Sequence, residues 1–123
     1  MQTVLVVDDE FGVAEVLQSM LEDEGYRVAT AINGKQALTR LAELTPDLII
    51  LDYMMPIMDG TQTLAAIRND KAFAGTPVIM MSSLEEEAVR ETCTGYNHFL
   101  RKPFRSMQVV KLVAQLLAQA PPK

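Results

Sequence analysis

The 123-residue sequence contains no tryptophan, a single cysteine, and only six prolines and six glycines. The lone Cys93 cannot form an internal disulfide, which fits a protein of a reducing compartment. No apolar run is longer than four or five residues, and no basic-then-apolar leader follows Met1. We therefore expect neither a membrane span nor a secretory signal, and we predict a cytoplasmic protein.

Positive charge is also scarce, because 11 Lys and Arg face 16 Asp and Glu, for a formal net charge of -5. Proteins bind the phosphate backbones of nucleic acids mainly through clustered Lys and Arg. The charge balance therefore argues against direct nucleic-acid binding and suits protein partners or a cation. The 49% hydrophobic content is typical of one folded domain. We predict this domain over residues 1–120, with 121–123 as a tail or the start of a linker.

Five short apolar segments recur along the chain, and segments of helical period lie between them. The strands are predicted at 4–7, 27–31, 48–51, 78–81 and 98–101. The helices are predicted at 11–24, 35–44, 61–70, after a cap at Ser83, and at 105–119. Strands that are apolar at every residue are typical of parallel sheets covered on both faces. We therefore predict an α/β fold, flavodoxin-like, with a five-stranded parallel sheet in the order 2-1-3-4-5 and helices on both faces.

Polar side chains follow the apolar strands at the edge where ligands bind in such sheets, beyond the carboxyl ends of the strands. Asp8 and Asp9 follow the first strand, and Asp52 follows the third. Ser82 follows the fourth strand and Lys102 the fifth. Because the first, third and fourth strands are neighbours in this order, we expect these side chains to converge, with Lys102 reaching in from the fifth.

These residue types together predict phosphoryl transfer. Three carboxylates in one cleft repel one another unless positive charge compensates them, and Lys102 supplies one such charge. Mg²⁺ is a hard cation that takes carboxylate and water oxygens, and it suits an open acidic edge. A carboxylate also acts as a nucleophile toward phosphorus when charge on the transferred group is neutralised. We therefore predict that Asp52 accepts a phosphoryl group, with Ser82 donating a hydrogen bond to it.

Four segments in this order, VLVVDDE, LIILDYMMPIMDG, VIMMSS and FLRKPF, resemble the receiver domain of bacterial response regulators. The likeness covers residues 3–119. It implies a phosphoacceptor domain of a two-component system, which catalyses only its own phosphorylation and dephosphorylation. It also implies a sensor histidine kinase or phosphotransfer protein as phosphodonor, and a downstream protein or fused output domain as the receiver of the signal.

The resemblance implies a magnesium site around the phosphoacceptor Asp52. Asp9 and Asp52 would coordinate Mg²⁺ together with the backbone carbonyl of Met54. Asp8 would contribute through a water molecule.

The resemblance also implies a switch. Ser82 would be the switch hydroxyl, Lys102 the phosphate partner, and Phe99 the aromatic side chain that swings inward when the hydroxyl moves. The Lys102–Pro103 peptide bond would be cis, a rare state even before proline. The segment between Ser82 and Lys102 is shorter than the family pattern, which leaves the geometry of the fourth helix open.

Four other interpretations stay open at this point. A phosphatase of haloacid dehalogenase type would also use an aspartyl nucleophile, but it needs an acid two residues later, where this chain has Met54. A flavin- or nucleotide-binding domain would need a Gly-rich or hydroxyl-rich phosphate loop after the first strand. A receiver-like interaction module would bind partners without phosphorylation. Asp8 and Asp9 could also merely cap the first helix.

Overall fold

The computed structural model describes residues 1–119, and the predicted tail at 121–123 lies outside the described residues. Strands and helices alternate five times in this part of the chain. The strands are β1 (Thr3–Val7), β2 (Arg27–Ala31), β3 (Leu48–Asp52), β4 (Val78–Ser82) and β5 (His98–Arg101). The helices are α1 (Phe11–Asp23), α2 (Gly34–Leu44), α3 (Gly60–Asn69), α4 (Glu86–Arg90) and α5 (Ser106–Gln119). No helix among residues 1–119 is long and apolar enough to cross a membrane.

The five strands form one parallel sheet in the order β2-β1-β3-β4-β5, which confirms the predicted fold. Every residue of β1, β3 and β4 is buried, as expected for strands covered on both faces. Alternate residues of β1 enter two separate cores. Val4 and Val6 pack with α1 and α5, whereas Leu5 and Val7 pack with α2 and α3.

Strands β3 and β4 each extend one residue beyond the predicted carboxyl end, and both extra residues belong to the predicted site. Asp52 is the last residue of β3, where its backbone pairs with Met81. Ser82 is the last residue of β4, where it pairs with Arg101. The sheet ladder therefore holds the backbones of both polar residues, and their positions do not depend on loop conformation.

The prediction that Ser83 caps the fourth helix is wrong. Helix α4 has five residues, its N-cap is Glu85, and no side chain caps it. The preceding backbone is held by other contacts, because Leu84 N–H donates to Ser82 Oγ at 3.0 Å. Arg101 also binds the Glu85 carboxylate at 2.9 Å and the Ser83 carbonyl at 3.4 Å. These contacts hold the segment in a non-helical path, so the helix begins later than its sequence pattern predicts.

Arg68, near the end of α3, hydrogen-bonds to two loops at the end of the sheet opposite the predicted site. Its guanidinium donates to the carbonyls of Thr76 at 2.7 Å and Gly95 at 2.9 Å. It also donates to Asn97 Oδ1 at 2.9 Å, and the same oxygen accepts a hydrogen bond from Val78 N–H at 2.8 Å. One planar side chain thus connects the loop before β4 with the loop before β5.

We expect Arg68→Lys to lower the free energy of unfolding by about 1–2 kcal/mol, because an ammonium cannot reproduce a fork of donors that reaches both loops. Urea denaturation of the two proteins measures this difference. Arg40→Lys is the matched control, since Arg40 donates from Nε to the Thr30 carbonyl at 3.3 Å. Equal losses in the two variants would contradict the bridging role of Arg68.

Candidate functional site

An ion-paired cluster lies at the carboxyl ends of β1 and β3. The Lys102 ammonium is 3.0 Å from Asp8 Oδ2 and 3.4 Å from Asp52 Oδ1. Asp8 is fully buried and Asp52 is 4% exposed. The convergence of these three side chains, predicted from the strand order, is therefore present in the structure.

Backbone contacts place the members of this cluster. Asp8 N–H donates to the Ala31 carbonyl at 3.0 Å, which fixes the chain as it leaves β1. Lys102 N–H donates to the Ser82 carbonyl at 2.8 Å, which sets the lysine beside the end of β4. The Lys102–Pro103 peptide bond is cis, as the family resemblance implied.

Glu10 also belongs to the cluster, although it is not one of the site residues predicted from the sequence. Its carboxylate lies 3.4 Å from the Lys102 ammonium. Asp8, Glu10 and Asp52 each offer a carboxylate oxygen, and these oxygens lie within 4.8 Å of one another. The signal in the sequence was the third acid of the triplet after β1, but this residue lies directly before the predicted helix at 11–24 and its position there suggested no contact with Lys102.

Asp9 is exposed and is not a member of this carboxylate group. It lines a groove of about 530 Å³, together with Met54 and Leu84, and the groove includes the chain neighbours of Asp8 and Asp52. The interpretation of Asp8 and Asp9 as helix caps is wrong, because the N-cap of α1 is Glu10 and no side chain caps it. Asp8 Oδ1 instead accepts a hydrogen bond from Glu10 N–H at 2.9 Å.

The predicted switch residues lie near the cleft and beside α4. Ser82 is 3% exposed, and because its Oγ accepts from Leu84 N–H, its own hydroxyl hydrogen stays available for donation. Phe99 is half-buried on β5, and its ring centroid is 6.2 Å from that of Tyr96. Phe99 thus lies on the α4–β5 surface and contacts the aromatic side chain just before β5.

The electrostatics of the cluster work against ionisation of Asp52. Burial, the charge of Asp8 and a hydrogen bond to Asp8 raise the pKa of Asp52 to about 7, although Lys102 opposes this rise. Burial alone would lower the pKa of Lys102. Its hydrogen bond to Asp8 and the charges of Asp52, Asp8 and Glu10 outweigh burial, so the pKa of Lys102 rises. Lys102 is therefore a cation at neutral pH, whereas ionisation of Asp52 is unfavourable because of its burial and the nearby charge of Asp8.

The donor set fits a hard divalent cation. Three carboxylates converge on a single ammonium, which leaves a deficit of positive charge when all of them are ionised. Carboxylate oxygens at an open, acidic sheet edge are ligands that Mg²⁺ takes. The charge deficit and the ligand type both suit Mg²⁺ at this site.

A parallel five-stranded sheet with an acidic cleft and a lysine at its carboxyl edge defines a domain of the flavodoxin-like class, whose ligands bind at that edge. The family model described as the response regulator receiver domain matches residues 4–114. The chain belongs to this family.

Known proteins support this assignment. The chain is 38% identical to protein PilG of Pseudomonas aeruginosa over 109 residues, which is 87% of this chain and 81% of PilG. It is 40% identical to the transcriptional regulatory protein ResD of Bacillus subtilis over 119 residues, which is 95% of this chain but 48% of ResD. The chain therefore spans about half the length of that relative.

Among solved structures, the receiver domain of the sensor histidine kinase PA1611 from Pseudomonas aeruginosa is similar, with a TM-score of 0.90 and 28% identity. The match covers 96% of this chain and 98% of that one, and that structure has a magnesium ion coordinated in its active-site cleft. The chain is thus a response regulator receiver domain, and receiver domains are signalling domains. The comparisons do not favour the phosphatase alternative.

Proposed function

We propose that Asp52 takes a phosphoryl group from a sensor histidine kinase or phosphotransfer protein in the cytoplasm. The modified domain would signal through its α4–β5 surface to a downstream protein or a fused output domain, without direct nucleic-acid contact. The observation that carries this proposal is the buried contact of 3.4 Å between Asp52 Oδ1 and the Lys102 ammonium. It places a carboxylate nucleophile next to a cation at the sheet edge where ligands bind.

The transfer itself is a displacement at phosphorus. One carboxylate oxygen of Asp52 attacks the phosphorus, the bond between phosphorus and the donor nitrogen breaks, and its electron pair leaves with the donor. Lys102 Nζ would donate to one phosphoryl oxygen as a point charge. The Ser82 hydroxyl, whose hydrogen is available, would donate to another.

Asp8, Asp9 and Asp52 would hold Mg²⁺ with the Met54 carbonyl, and Glu10 adds negative charge beside them. Bound Mg²⁺ supplies positive charge that favours the ionised form of Asp52 and neutralises the phosphoryl oxygens. With its pKa raised to about 7, chiefly by burial, Asp52 is partly protonated at neutral pH when no metal is bound. A protonated carboxyl group is a poor nucleophile, so this partial protonation supports a requirement for the cation.

The switch would run from the cleft to α4. Ser82 would move toward the phosphoryl group, and Phe99 would change its packing as the hydroxyl leaves its present position. A side-chain contact supports such coupling, because the hydroxyl of Tyr53, directly after the phosphoacceptor, hydrogen-bonds to the hydroxyl of Thr92, just beyond α4. Helix α4 itself is short, and such contacts with neighbouring elements help to hold it.

The test is to incubate the native chain and Asp52→Asn with acetyl phosphate and Mg²⁺ and to measure the intact mass of each protein. We expect the native chain to gain one phosphoryl group, and Asp52→Asn and an EDTA-treated native sample to gain none. An unmodified native chain, after complete magnesium loading and at high donor concentration, would reject the proposed function. If Asp52→Asn also gains a phosphoryl group, another residue is the phosphoacceptor.

Met54 and Leu84 would screen the aspartyl phosphate from water, because they lie two residues beyond Asp52 and Ser82, line one groove with Asp9, and keep exposed side chains. We expect Met54→Asn to speed hydrolysis of the aspartyl phosphate by up to about tenfold, since a polar side chain admits and orients water. The decay of the phosphorylated mass after donor removal measures this rate. Met107→Asn, an exposed methionine on α5, is the control and should decay at the native rate. An unchanged lifetime in Met54→Asn would remove this role.

A further inference from the structure

Glu10 is an unfavourable residue for its local position. It is the N-cap of α1, where Ser, Thr, Asp and Asn are preferred because their short side chains accept hydrogen bonds from the first helical turn. The Glu10 side chain makes no cap hydrogen bond. A residue that breaks a local rule without local compensation points to a role elsewhere in the fold.

The Glu10 side chain instead reaches across the cleft to Lys102, 92 positions away in the sequence, at 3.4 Å. Its backbone N–H meanwhile donates to Asp8 Oδ1 at 2.9 Å, and Asp8 Oδ2 holds Lys102 at 3.0 Å. Glu10 therefore acts on Lys102 twice, directly through its carboxylate and indirectly by orienting the carboxylate of Asp8.

The three carboxylate partners of Lys102 differ in solvent exposure. The Asp8 and Asp52 side chains are 0% and 6% exposed, whereas the Glu10 side chain is 63% exposed. An ammonium has three N–H donors, so a new acceptor must replace one of the carboxylates. Exposed ion pairs contribute little and are screened by salt, whereas separating a buried pair leaves a buried charge uncompensated. The contact that Lys102 gives up most easily is therefore the one with Glu10.

Resting on the proposed function of Asp52, we propose that Glu10 is a positioning residue for Lys102. In the unmodified protein Glu10 occupies the third donor of the Lys102 ammonium and keeps it at the mouth of the cleft. When a phosphoryl oxygen arrives, it takes that donor from Glu10, while Asp8 continues to anchor the lysine. Glu10 thus competes with the phosphoryl group for Lys102.

Two substitutions separate the contact from the charge. Glu10→Gln keeps the length of the side chain and removes its charge, whereas Glu10→Asp keeps the charge and is one methylene too short for the contact. We expect both variants to take a phosphoryl group from acetyl phosphate about two- to fivefold faster than the native chain at low salt, because the competitor for Lys102 is weakened. Magnesium is kept saturating for each variant. In 0.5 M NaCl the ratio to the native rate should approach one, because an exposed ion pair is screened.

Glu15→Gln is the matched control, since it removes one negative charge from the exposed face of the same helix and should keep the native rate. A second measurement uses the unmodified, magnesium-free protein. In both Glu10 variants the ¹⁵N resonance of the Lys102 ammonium should shift, and the ammonium hydrogens should exchange with water faster. Neither change should occur in Glu15→Gln. This measurement does not depend on phosphoryl transfer.

The outcomes separate the two proposals. If the native chain is phosphorylated but Glu10→Asp behaves like the native chain in both measurements, Glu10 acts only through its charge and the positioning role is wrong. If both Glu10 variants match the native chain, the contact has no influence on Lys102 and the inference also fails. A native chain that takes no phosphoryl group would overturn the proposed function, while the ammonium resonance would still decide whether Glu10 holds Lys102.

Discussion

In magnesium-free buffer at pH 8.5, Asp52→Asn should be more stable than the native chain by about 3 kcal/mol. Asp52 is 4% exposed, and burial together with the charge of Asp8 raises its pKa from 3.8 to about 7. A carboxyl group that ionises less readily in the folded protein than in the unfolded chain destabilises the fold whenever it is ionised. The gap between the two pKa values, which already includes the favourable contact with Lys102, corresponds to at most about 4 kcal/mol.

The sign of the pH dependence follows from the same two values. Below pH 3.8 the carboxyl group is protonated in both states, so its full stabilising contribution is present there. This contribution is lost as the pH rises through about 7, and little changes beyond that. The advantage of Asp52→Asn should therefore grow by about 2 kcal/mol between pH 5.5 and 8.5. Urea denaturation at several pH values measures it.

Two comparisons make this prediction specific to the buried carboxylate. Asp23→Asn, at an exposed position, should change the free energy of unfolding by less than about 0.5 kcal/mol across the same pH range. Added Mg²⁺ should stabilise the native chain more than Asp52→Asn, which lacks one carboxylate of the proposed site. If Asp52→Asn is less stable than the native chain at pH 8.5, the prediction is wrong. Lys102 would then fully offset the unfavourable burial of the ionised Asp52 carboxylate without a metal.

Gly60→Ala should lower the free energy of unfolding by about 3 kcal/mol or more. A Cβ atom at Gly60 would lie 2.6 Å from the Asp52 carbonyl oxygen and 2.7 Å from the Tyr53 Cα. Both are backbone atoms at the end of β3, so no side-chain rotation relieves the overlap. Gly60 N–H also donates to the Tyr53 carbonyl at 2.9 Å, which holds the start of α3 against that strand.

The same substitution should disturb the proposed phosphoacceptor site, because the clash displaces the backbone of Asp52 itself. Thermal or urea unfolding measures the stability, and acetyl phosphate labelling of the folded fraction measures the site. Gly12→Ala is the matched control, because no atom lies within 4 Å of its Cβ position and the residue belongs to α1. Alanine there should stabilise the protein by up to about 1 kcal/mol. Equal stabilities for the two alanine variants would contradict the close packing of α3 on β3.

The family and the fold followed from patterns that depend on short segments. Strands such as LIIL are apolar at every residue because helices cover both faces of a parallel sheet, and that condition is visible without coordinates. The polar residues at the carboxyl ends of the strands then predicted that Asp8, Asp52 and Lys102 lie at one edge of the sheet, as the structure shows. The predicted domain boundary at residue 120 stays a prediction, as do the roles of Asp9 and Met54 in holding Mg²⁺.

Other features depended on contacts between distant parts of the chain. Ser83 has the spacing of a helix cap, but Arg101 from β5 holds the adjoining backbone and α4 starts later. Glu10 lies just before the predicted first helix, yet its side chain contacts Lys102, 92 positions away in the sequence. Periodicity reports only which face of an element is buried, and it carries no information about such side-chain contacts.

The amino-acid sequence by itself determined the order of the elements, the parallel sheet and the acidic and basic residues at its carboxyl edge, because burial periodicity and strand order are properties of the chain. The tertiary structure alone decided which carboxylates share the ammonium of Lys102 and why the pKa of Asp52 rises to about 7. The physical reason is that desolvation and Coulomb energies depend on distances of a few ångströms between side chains, and only the packed fold sets those distances.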